Sequence, residues 1–310
     1  MKHAARYIYI ALATLLGTAC SDTANTLFTP GEQPIHEMEI GFSVSETEWE
    51  GQTVSMTRSG ETLEALEAKG FGVFCKALAM TNQEVTWDTI TGTWDYGTKI
   101  LWPKGVVDDL RRANPSEIFV YAPYDGSVEL ATDGKSIAAD NTKDWLWASP
   151  EISPDGTIHL DFKHALAELS FGTITNNHGH PITLKSVTIK GDAYTNGALS
   201  LAGGTWSNWG NPISPIDPIK PIDPNEEDEE PIEIQNGETK PFGIKTMTLI
   251  PHQKENQKIE VEIVVEVTEA PNGSAIIKTD KTIKKEITLE QGKNTEINLT
   301  VGQNHEVVIK

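Results

Sequence analysis

The 310-residue sequence predicts an all-β protein made of two antiparallel β-sandwich domains in tandem. Short runs of alternating apolar and polar residues recur along the chain, and Gly, Asn, Asp or Pro bounds most of them. After the N-terminal segment, helical periodicity is confined to Glu61–Lys69, where Leu63 and Leu66 mark one short helix. The chain length suits two domains, with a boundary near residue 157.

The predicted strands follow period-two alternation along the chain. One long strand with a bulge is predicted at Thr157–Ile174. A hairpin is predicted to join Lys281–Leu289 to Thr295–Val301 through the turn residues 291–294. The other clear strands are Glu37–Ser45, Phe71–Lys76, Glu117–Tyr121, Ile182–Lys190 and Lys258–Thr268.

The first twenty residues have the layout of an export signal. Lys2 and Arg6 precede an apolar run, Tyr7–Leu16, that is too short to span a bilayer. Small residues then lead to Cys20, which resembles the bacterial lipobox, where the thiol is acylated and becomes the new N-terminus. We therefore expect residues 1–20 to be a lipoprotein signal peptide and the lipid at Cys20 to hold the protein on a membrane. The alternative is an ordinary cleaved signal with an incidental cysteine.

Charge and cysteine content limit the classes of function. The formal net charge of −20 and a pI of about 4.7 argue against nucleic acid as a partner. With lipid on Cys20, Cys75 would have no partner for an intramolecular disulfide. Cys75 follows an apolar strand pattern, so we expect a buried, unreactive thiol.

One segment, residues 211–231, departs from the strand pattern. Its prolines recur every third residue, with isoleucines in step, which predicts a polyproline II spar that runs into the acidic block Glu226–Glu230. A tolerated loop insertion in the second domain is the favoured interpretation, because long surface insertions cost little loop entropy. The carboxylates lack the spacing of a calcium loop. The prolines are Pro212, Pro215, Pro218, Pro221 and Pro224.

No pattern in the chain predicts catalysis, a cofactor or a metal centre. His178-Gly179-His180 precedes a proline and is typical of a turn, with no further ligand at zinc spacing. Nucleophile-elbow, phosphate-loop and dinucleotide motifs are missing from the sequence. Two tryptophan pairs, Trp145 with Trp147 and Trp206 with Trp209, favour core packing over a sugar-stacking platform. We interpret the protein as a non-enzyme.

The segment before the first domain contains a strand that a protease could remove. Met38, Ile40, Phe42 and Val44 alternate with polar or small residues, which predicts a strand buried on one face. No Lys or Arg occurs between Ser21 and Thr57, so Arg58 is the single site in this stretch for a trypsin-like enzyme. The surrounding polar sequence, next to Gly60, is the kind of place where nicking occurs.

The order of these features resembles the fimbrillin family, the subunits of the type V pili of Bacteroidota. The resemblance covers most of the chain, whereas the proline-rich insertion and the C-terminal end depart from it. It is carried by the lipobox at Cys20, Phe42-Ser43-Val44, Thr57-Arg58, Phe71-Gly72-Val73-Phe74, Leu101-Trp102-Pro103, Ile118–Pro123 and Phe162–Phe171.

The resemblance implies a fold and a maturation route. Fimbrillins are lipoprotein precursors with two transthyretin-like β-sandwich domains, and an Arg-directed protease removes their N-terminal segment. Here the cut would fall between Arg58 and Ser59 and would take away the strand that contains Met38, Ile40, Phe42 and Val44. The opened groove would accept a strand from a neighbouring subunit, and Val307, Val308 and Ile309 are the candidate donor.

The expected organisation follows from these interpretations. Residues 1–20 are the signal peptide, 21–58 a propeptide, 59–157 the first sandwich and 158–310 the second, with the insertion at 211–231. We expect a shaft or tip subunit of an adhesive pilus, exported to the outer membrane and then displayed on the cell surface, with other pilus subunits as partners. The alternative is an uncleaved outer-membrane lipoprotein, either the pilus anchor or a surface protein that binds a glycan or a host receptor.

Overall fold

The structure, a computed structural model, describes nine parts of the chain: residues 39–45, 63–103, 117–210, 212, 216–219, 231–254, 257–269, 277–302 and 307–309. These parts contain twenty strands, the helix α1 (Leu63–Lys69) and a 3-10 turn at Lys76–Leu78. Within them, no helix is long and apolar enough to cross a bilayer. The strands are β1 (Gly41–Ser45), β2 (Phe71–Cys75), β3 (Met80–Asp88), β4 (Thr93–Asp95), β5 (Ile118–Ala122), β6 (Ser136–Asp140), β7 (Leu146–Ile152), β8 (Thr157–His164), β9 (Ala167–Asn176), β10 (Ile182–Gly191), β11 (Asn196–Ser200), β12 (Trp206–Ser207), β13 (Ile216–Ile219), β14 (Ile232–Ile234), β15 (Thr239–Pro241), β16 (Met247–Leu249), β17 (Ile259–Glu269), β18 (Ile277–Ile287), β19 (Asn294–Val301) and β20 (Val307–Ile309).

Seven strands form sheet A, in the order β1-β8-β7-β5-β2-β3-β4. Its pairings are antiparallel except that β1 runs parallel to β8. Side chains alternate between its two faces, so one face buries Ile158, Leu160 and Phe162 of β8 together with Leu66 of α1 and the apolar side of β1. This apolar group is the first core.

The other face of sheet A packs on sheet B, whose strand order is β12-β11-β6. The contact buries Tyr121 and Trp147 from sheet A against Ile137, Leu199 and Trp206 from sheet B. This second core is rich in large aromatic side chains, which bury much apolar area for each residue.

Two five-stranded sheets enclose the third core. Sheet C has the order β13-β10-β17-β18, with β14 also beside β10, and sheet D has the order β15-β9-β19-β20, with β16 also beside β9. Leu184 and Val261 from sheet C pack with Leu169, Phe171 and other buried residues of sheet D. Here β19 runs parallel to β9, whereas the other pairings are antiparallel. The structure therefore confirms the all-β class, and division into two transthyretin-like domains stays a prediction.

Several predicted elements differ from those observed. The long strand Thr157–Ile174 is two strands, β8 in sheet A and β9 in sheet D, so the predicted boundary at residue 157 falls at the start of a strand of sheet A. The predicted hairpin around 291–294 is wrong, because β18 pairs with β17 while β19 pairs with β9 and β20. Residues 291–294 instead carry the chain from sheet C to sheet D.

The proline-rich insertion also differs from the prediction. Ile216–Ile219 is the strand β13, which pairs antiparallel with β10 through Val187↔Ile219 and Ile189↔Ile216. A free polyproline spar is therefore wrong for these four residues, because their backbone is paired within sheet C. The acidic block Glu226–Glu230 lies outside the described residues.

Candidate functional site

The candidate site is the edge of sheet A that β1 occupies. β1 pairs along its whole length with β8, in the register Gly41↔Thr157 through Ser45↔Asp161. Among the described strands, none pairs with the outer edge of β1. β1 is thus an edge strand of sheet A, and among the described strands it pairs with β8 alone.

The inner side of β1 closes the first core. Ile40, just before the strand, is 2% exposed, and Phe42 is 8% exposed. The Phe42 ring meets Phe71 and Tyr96 edge-on, with ring centroids 5.6 Å and 5.8 Å away. Edge-to-face pairs of this kind add roughly 0.5–1.5 kcal/mol to the free energy of area burial. The groove under β1 therefore has an aromatic floor.

Hydrogen bonds to the backbone hold the residues just before β1. The Ile40 N–H donates to the Ile100 carbonyl oxygen at 2.9 Å, and the Tyr96 hydroxyl donates to the Ile40 carbonyl oxygen at 2.9 Å. Glu39 forms an isolated antiparallel bridge with Leu101. Burial raises the pKa of Tyr96, so this phenol stays a neutral donor at physiological pH.

The outward side of β1 makes polar contacts with β8. Ser43 Oγ is hydrogen-bonded to His159 Nδ1, and Ser45 Oγ donates to Asp161 Oδ1 at 3.0 Å. These contacts lie on the solvent side and fix the register without adding much burial. Apolar packing on the inner side is thus the main attraction between β1 and the sheet.

This arrangement places a strand that is paired on one side only above an apolar groove. Without β1, the open edge of β8 would carry unpaired backbone donors and acceptors beside the rings of Phe71 and Tyr96. Such a groove fits an extended segment with apolar residues at alternate positions, which is the recognition mode of β-augmentation.

The structure places some of the predicted site residues and leaves others undescribed. Ile40 and Phe42 are buried as predicted, and Val44 is partly buried against the same core. Val307, Val308 and Ile309 form β20, which pairs with β19 in sheet D, far along the chain from β1. Cys20, Met38, Arg58 and Ser59 lie outside the described residues.

The sequence analysis did not identify Tyr96 as part of the aromatic floor of the groove. Tyr96 touches Phe42 and holds the Ile40 carbonyl, but its significance depends on a tertiary contact more than fifty residues away. The alternation of Trp94 and Tyr96, both buried, is the signal that could have marked this segment as part of a core.

The tryptophan pairs and Cys75 pack in or against the apolar cores. Trp145, Trp147 and Trp206 are buried in the second core, with Trp209 packed against it, so core packing rather than an exposed sugar platform describes both pairs. Cys75 is buried, and burial raises the pKa of its thiol, as expected of an unreactive cysteine.

The histidines that could have suggested a metal centre do not form one in the described ranges. His164 Nδ1 lies 3.0 Å from Asp144, and Gly179, with φ of 99°, lies in the turn between β9 and β10. Across the described ranges, no group of three or more His, Cys, Asp or Glu side chains has the geometry of a metal site.

The solved structures similar to this chain include cell adhesion and fimbrial proteins of Bacteroides and Parabacteroides. A candidate cell adhesion protein from Bacteroides ovatus is 15% identical, with a TM-score of 0.44 over 90% of this chain and 96% of its own. One from Parabacteroides distasonis is 11% identical, with a TM-score of 0.47 over 89% of this chain and 97% of its own. A fimbrial protein from Bacteroides ovatus is 12% identical, with a TM-score of 0.32 over 86% of this chain and 49% of its own.

Comparison with models of protein families assigns the chain to a family, which the solved structures alone do not. No curated protein matches the chain. The model of a family described as fimbrillin-like matches residues 44–310, which is most of the sequence. The chain therefore belongs to the fimbrillin-like family and is a fimbrial protein of the cell surface, not an enzyme.

Proposed function

We propose that this protein is a structural subunit, shaft or tip, of a type V pilus and that it assembles by exchange of β1. Lipid at Cys20 holds an unassembled precursor at the outer membrane, and cleavage between Arg58 and Ser59 releases the segment that contains β1. A strand from a neighbouring subunit then fills the groove, so the protein supports adhesion as part of a fibre.

One observation carries this proposal: β1 is an edge strand that lies N-terminal to Arg58 yet completes the first core of the sequence that follows it. A strand paired on one side can leave without breaking any other pairing in its sheet. Its departure exposes apolar side chains of the first core. Refilling the groove restores several hydrogen bonds, each worth about 0.5–1.5 kcal/mol net, together with the apolar burial.

The candidate donor is the C-terminal strand β20. It pairs with β19 on one side, at the end of sheet D. Its residues Val307, Val308 and Ile309 are apolar and β-branched, which suits an extended strand. In this proposal β20 leaves its own sheet and enters the groove of the next subunit.

Covalent locking of β1 tests the proposal. Ser43 and His159 are directly opposite in the register and in side-chain contact, so the pair Ser43→Cys with His159→Cys can form a disulfide between β1 and β8. After cleavage at Arg58, the oxidised form should stay monomeric, and reduction should allow polymers to form. Each single cysteine variant, treated identically, controls for oxidation.

Two results would contradict strand exchange. One is polymerisation of the oxidised double variant at the rate of the wild type. The other is a cleaved, reduced protein that remains monomeric. Sequencing of the N-terminus on cells separates the roles: Ser59 marks a polymerising subunit, and acylated Cys20 marks an uncleaved anchor or a lipoprotein that binds a host or glycan receptor.

A further inference from the structure

The strand β18 has a long edge that nothing in the described part of the chain covers. It is an 11-residue strand that pairs with β17 along its whole length and ends sheet C. No described strand pairs with its other edge. A row of backbone donors and acceptors on such an edge is a template for another strand, and natural proteins use charged side chains to decide which strand is admitted.

The outer face of β18 carries a symmetric pattern of charge. Strand alternation puts Lys278, Asp280, Lys284 and Glu286 on this face, at equal steps on either side of Thr282. All four are exposed, with side-chain exposures of 62% for Lys278, 52% for Lys284 and 67% for Glu286. Reversing the strand about Thr282 exchanges a lysine for a carboxylate at every one of these positions.

This charge pattern makes β18 complementary to a second copy of itself. With a two-fold axis through Thr282, perpendicular to the sheet, Lys278 of one copy lies opposite Glu286 of the other, and Asp280 lies opposite Lys284. The axis generates each pair twice, so four opposite-charge pairs cross the interface. Opposite charges directly across an antiparallel pair stabilise it.

Neighbouring symmetric registers are charge-mismatched. Moving the axis by one residue to Lys281 puts that lysine opposite itself and Lys278 opposite Lys284. Moving it to Ile283 puts Asp280 opposite Glu286 and Lys281 opposite Lys285. Like charges directly across a pair are destabilising. The sequence of β18 therefore selects one register and disfavours those on either side.

Asp280 has an unfavourable position in its own sheet that a second copy would relieve. It lies directly opposite Glu266 of β17, a like charge, and it forms no ion pair with any described residue. In the two-fold register, Lys284 of the second copy supplies the opposite charge. On the inner face, the same register places Ile277, 49% exposed, opposite Ile287 of the second copy.

We propose that this chain forms a two-fold symmetric homodimer by antiparallel pairing of β18 with β18 of a second copy, joining two sheets C into one ten-stranded sheet. The pairing uses neither β1 nor its groove, so it does not depend on cleavage at Arg58.

Charge exchange between two variants tests the dimer. In Asp280→Lys, the new lysine faces Lys284 of the other copy, and in Lys284→Asp, the new aspartate faces Asp280. Each variant alone should dimerise at least about tenfold more weakly than the wild type. When the two variants are mixed, all four charges at these positions are opposite again across the interface, so the heterodimer should form more tightly than either variant dimerises alone, although Lys284→Asp also removes the ion pairs of Lys284 with Glu260 and Glu262 in its own sheet.

Sedimentation velocity from micromolar to millimolar concentration measures these affinities. The measurements use the full chain with Cys20→Ser, which removes the thiol required for lipid attachment. Glu151→Lys, which changes an exposed carboxylate on β7 of sheet A, is the matched control and should dimerise like the wild type. A wild type that stays monomeric throughout overturns the proposal, as does a dimer that is indifferent to Asp280→Lys or a mixture no tighter than its components.

Discussion

Phe42 is the side chain that should contribute most to holding β1 in its groove. The Phe42→Ala substitution removes a ring that is 8% exposed and ends its edge-on contacts with Phe71 and Tyr96. Truncation of a buried phenylalanine to alanine costs about 3–5 kcal/mol. A position at a sheet edge can relax more than a central one, so we expect the low end of this range, about 3 kcal/mol.

Urea unfolding of the full chain, followed by tryptophan fluorescence, measures this loss. Urea m-values of small proteins run from about 1 to 3 kcal/mol/M and rise with size, so a loss of about 3 kcal/mol in this chain should move the midpoint by up to about 1 M. Ser43→Ala is the matched control on the next residue. It removes the hydrogen bond to His159 on the outward side and should cost under about 1 kcal/mol.

The outcome decides whether packing holds the strand. If Phe42→Ala costs less than about 1 kcal/mol, or no more than Ser43→Ala, the reasoning that the aromatic floor retains β1 is refuted. A large loss for Phe42→Ala with a small loss for Ser43→Ala would show that apolar packing on the inner side holds β1.

Three further predictions follow from buried groups. Burial lowers the pKa of His252 below 6.5, so its contribution to stability is complete above about pH 6.5 and is lost as the pH falls through the folded-state pKa. The urea midpoints at pH 7 and pH 5 should therefore differ less in His252→Gln than in the wild type. An equal difference in both proteins would show that His252 does not contribute to the pH dependence of stability. In a Cys20→Ser background, Cys75 should react with a thiol reagent only after unfolding, because it is 1% exposed and burial raises its pKa; fast labelling of the native protein would contradict this. Trp206 Nε1 donates to the Ala165 carbonyl oxygen at 2.7 Å, so Trp206→Phe should lower the free energy of unfolding by about 1–3 kcal/mol. Trp209→Phe should cost less, because its Nε1 has no hydrogen-bond partner among the described residues; a reversed order in urea unfolding would refute the assignment.

The limits of prediction from sequence are clearest at residues 288–301. Both flanking segments alternate, and turn residues lie between them, so a hairpin is the natural local interpretation. In the structure, Gly292 donates its N–H to the Leu166 carbonyl oxygen, and β19 continues beside β9 in a different sheet. Local pattern gives the strands but not their partners, because the same alternation satisfies any sheet with one buried face.

The insertion shows the same limit. Its three-residue repeat predicts an extended backbone, and Ile216–Ile219 is indeed extended. An isolated spar and an edge strand differ only in whether a neighbouring strand has free hydrogen-bonding groups. Here the edge of β10 is available, and β13 pairs with it.

The sequence by itself determined the all-β class, the short helix, the burial of Ile40 and Phe42, the packing of the tryptophans and the family. Each of these depends on residue type and spacing along a short stretch of chain. Only the tertiary structure decided that β1 lies parallel to β8 at an open edge, with Tyr96 beside it, and that β18 ends sheet C. Edges and grooves arise where distant segments do or do not meet, so no local pattern records them.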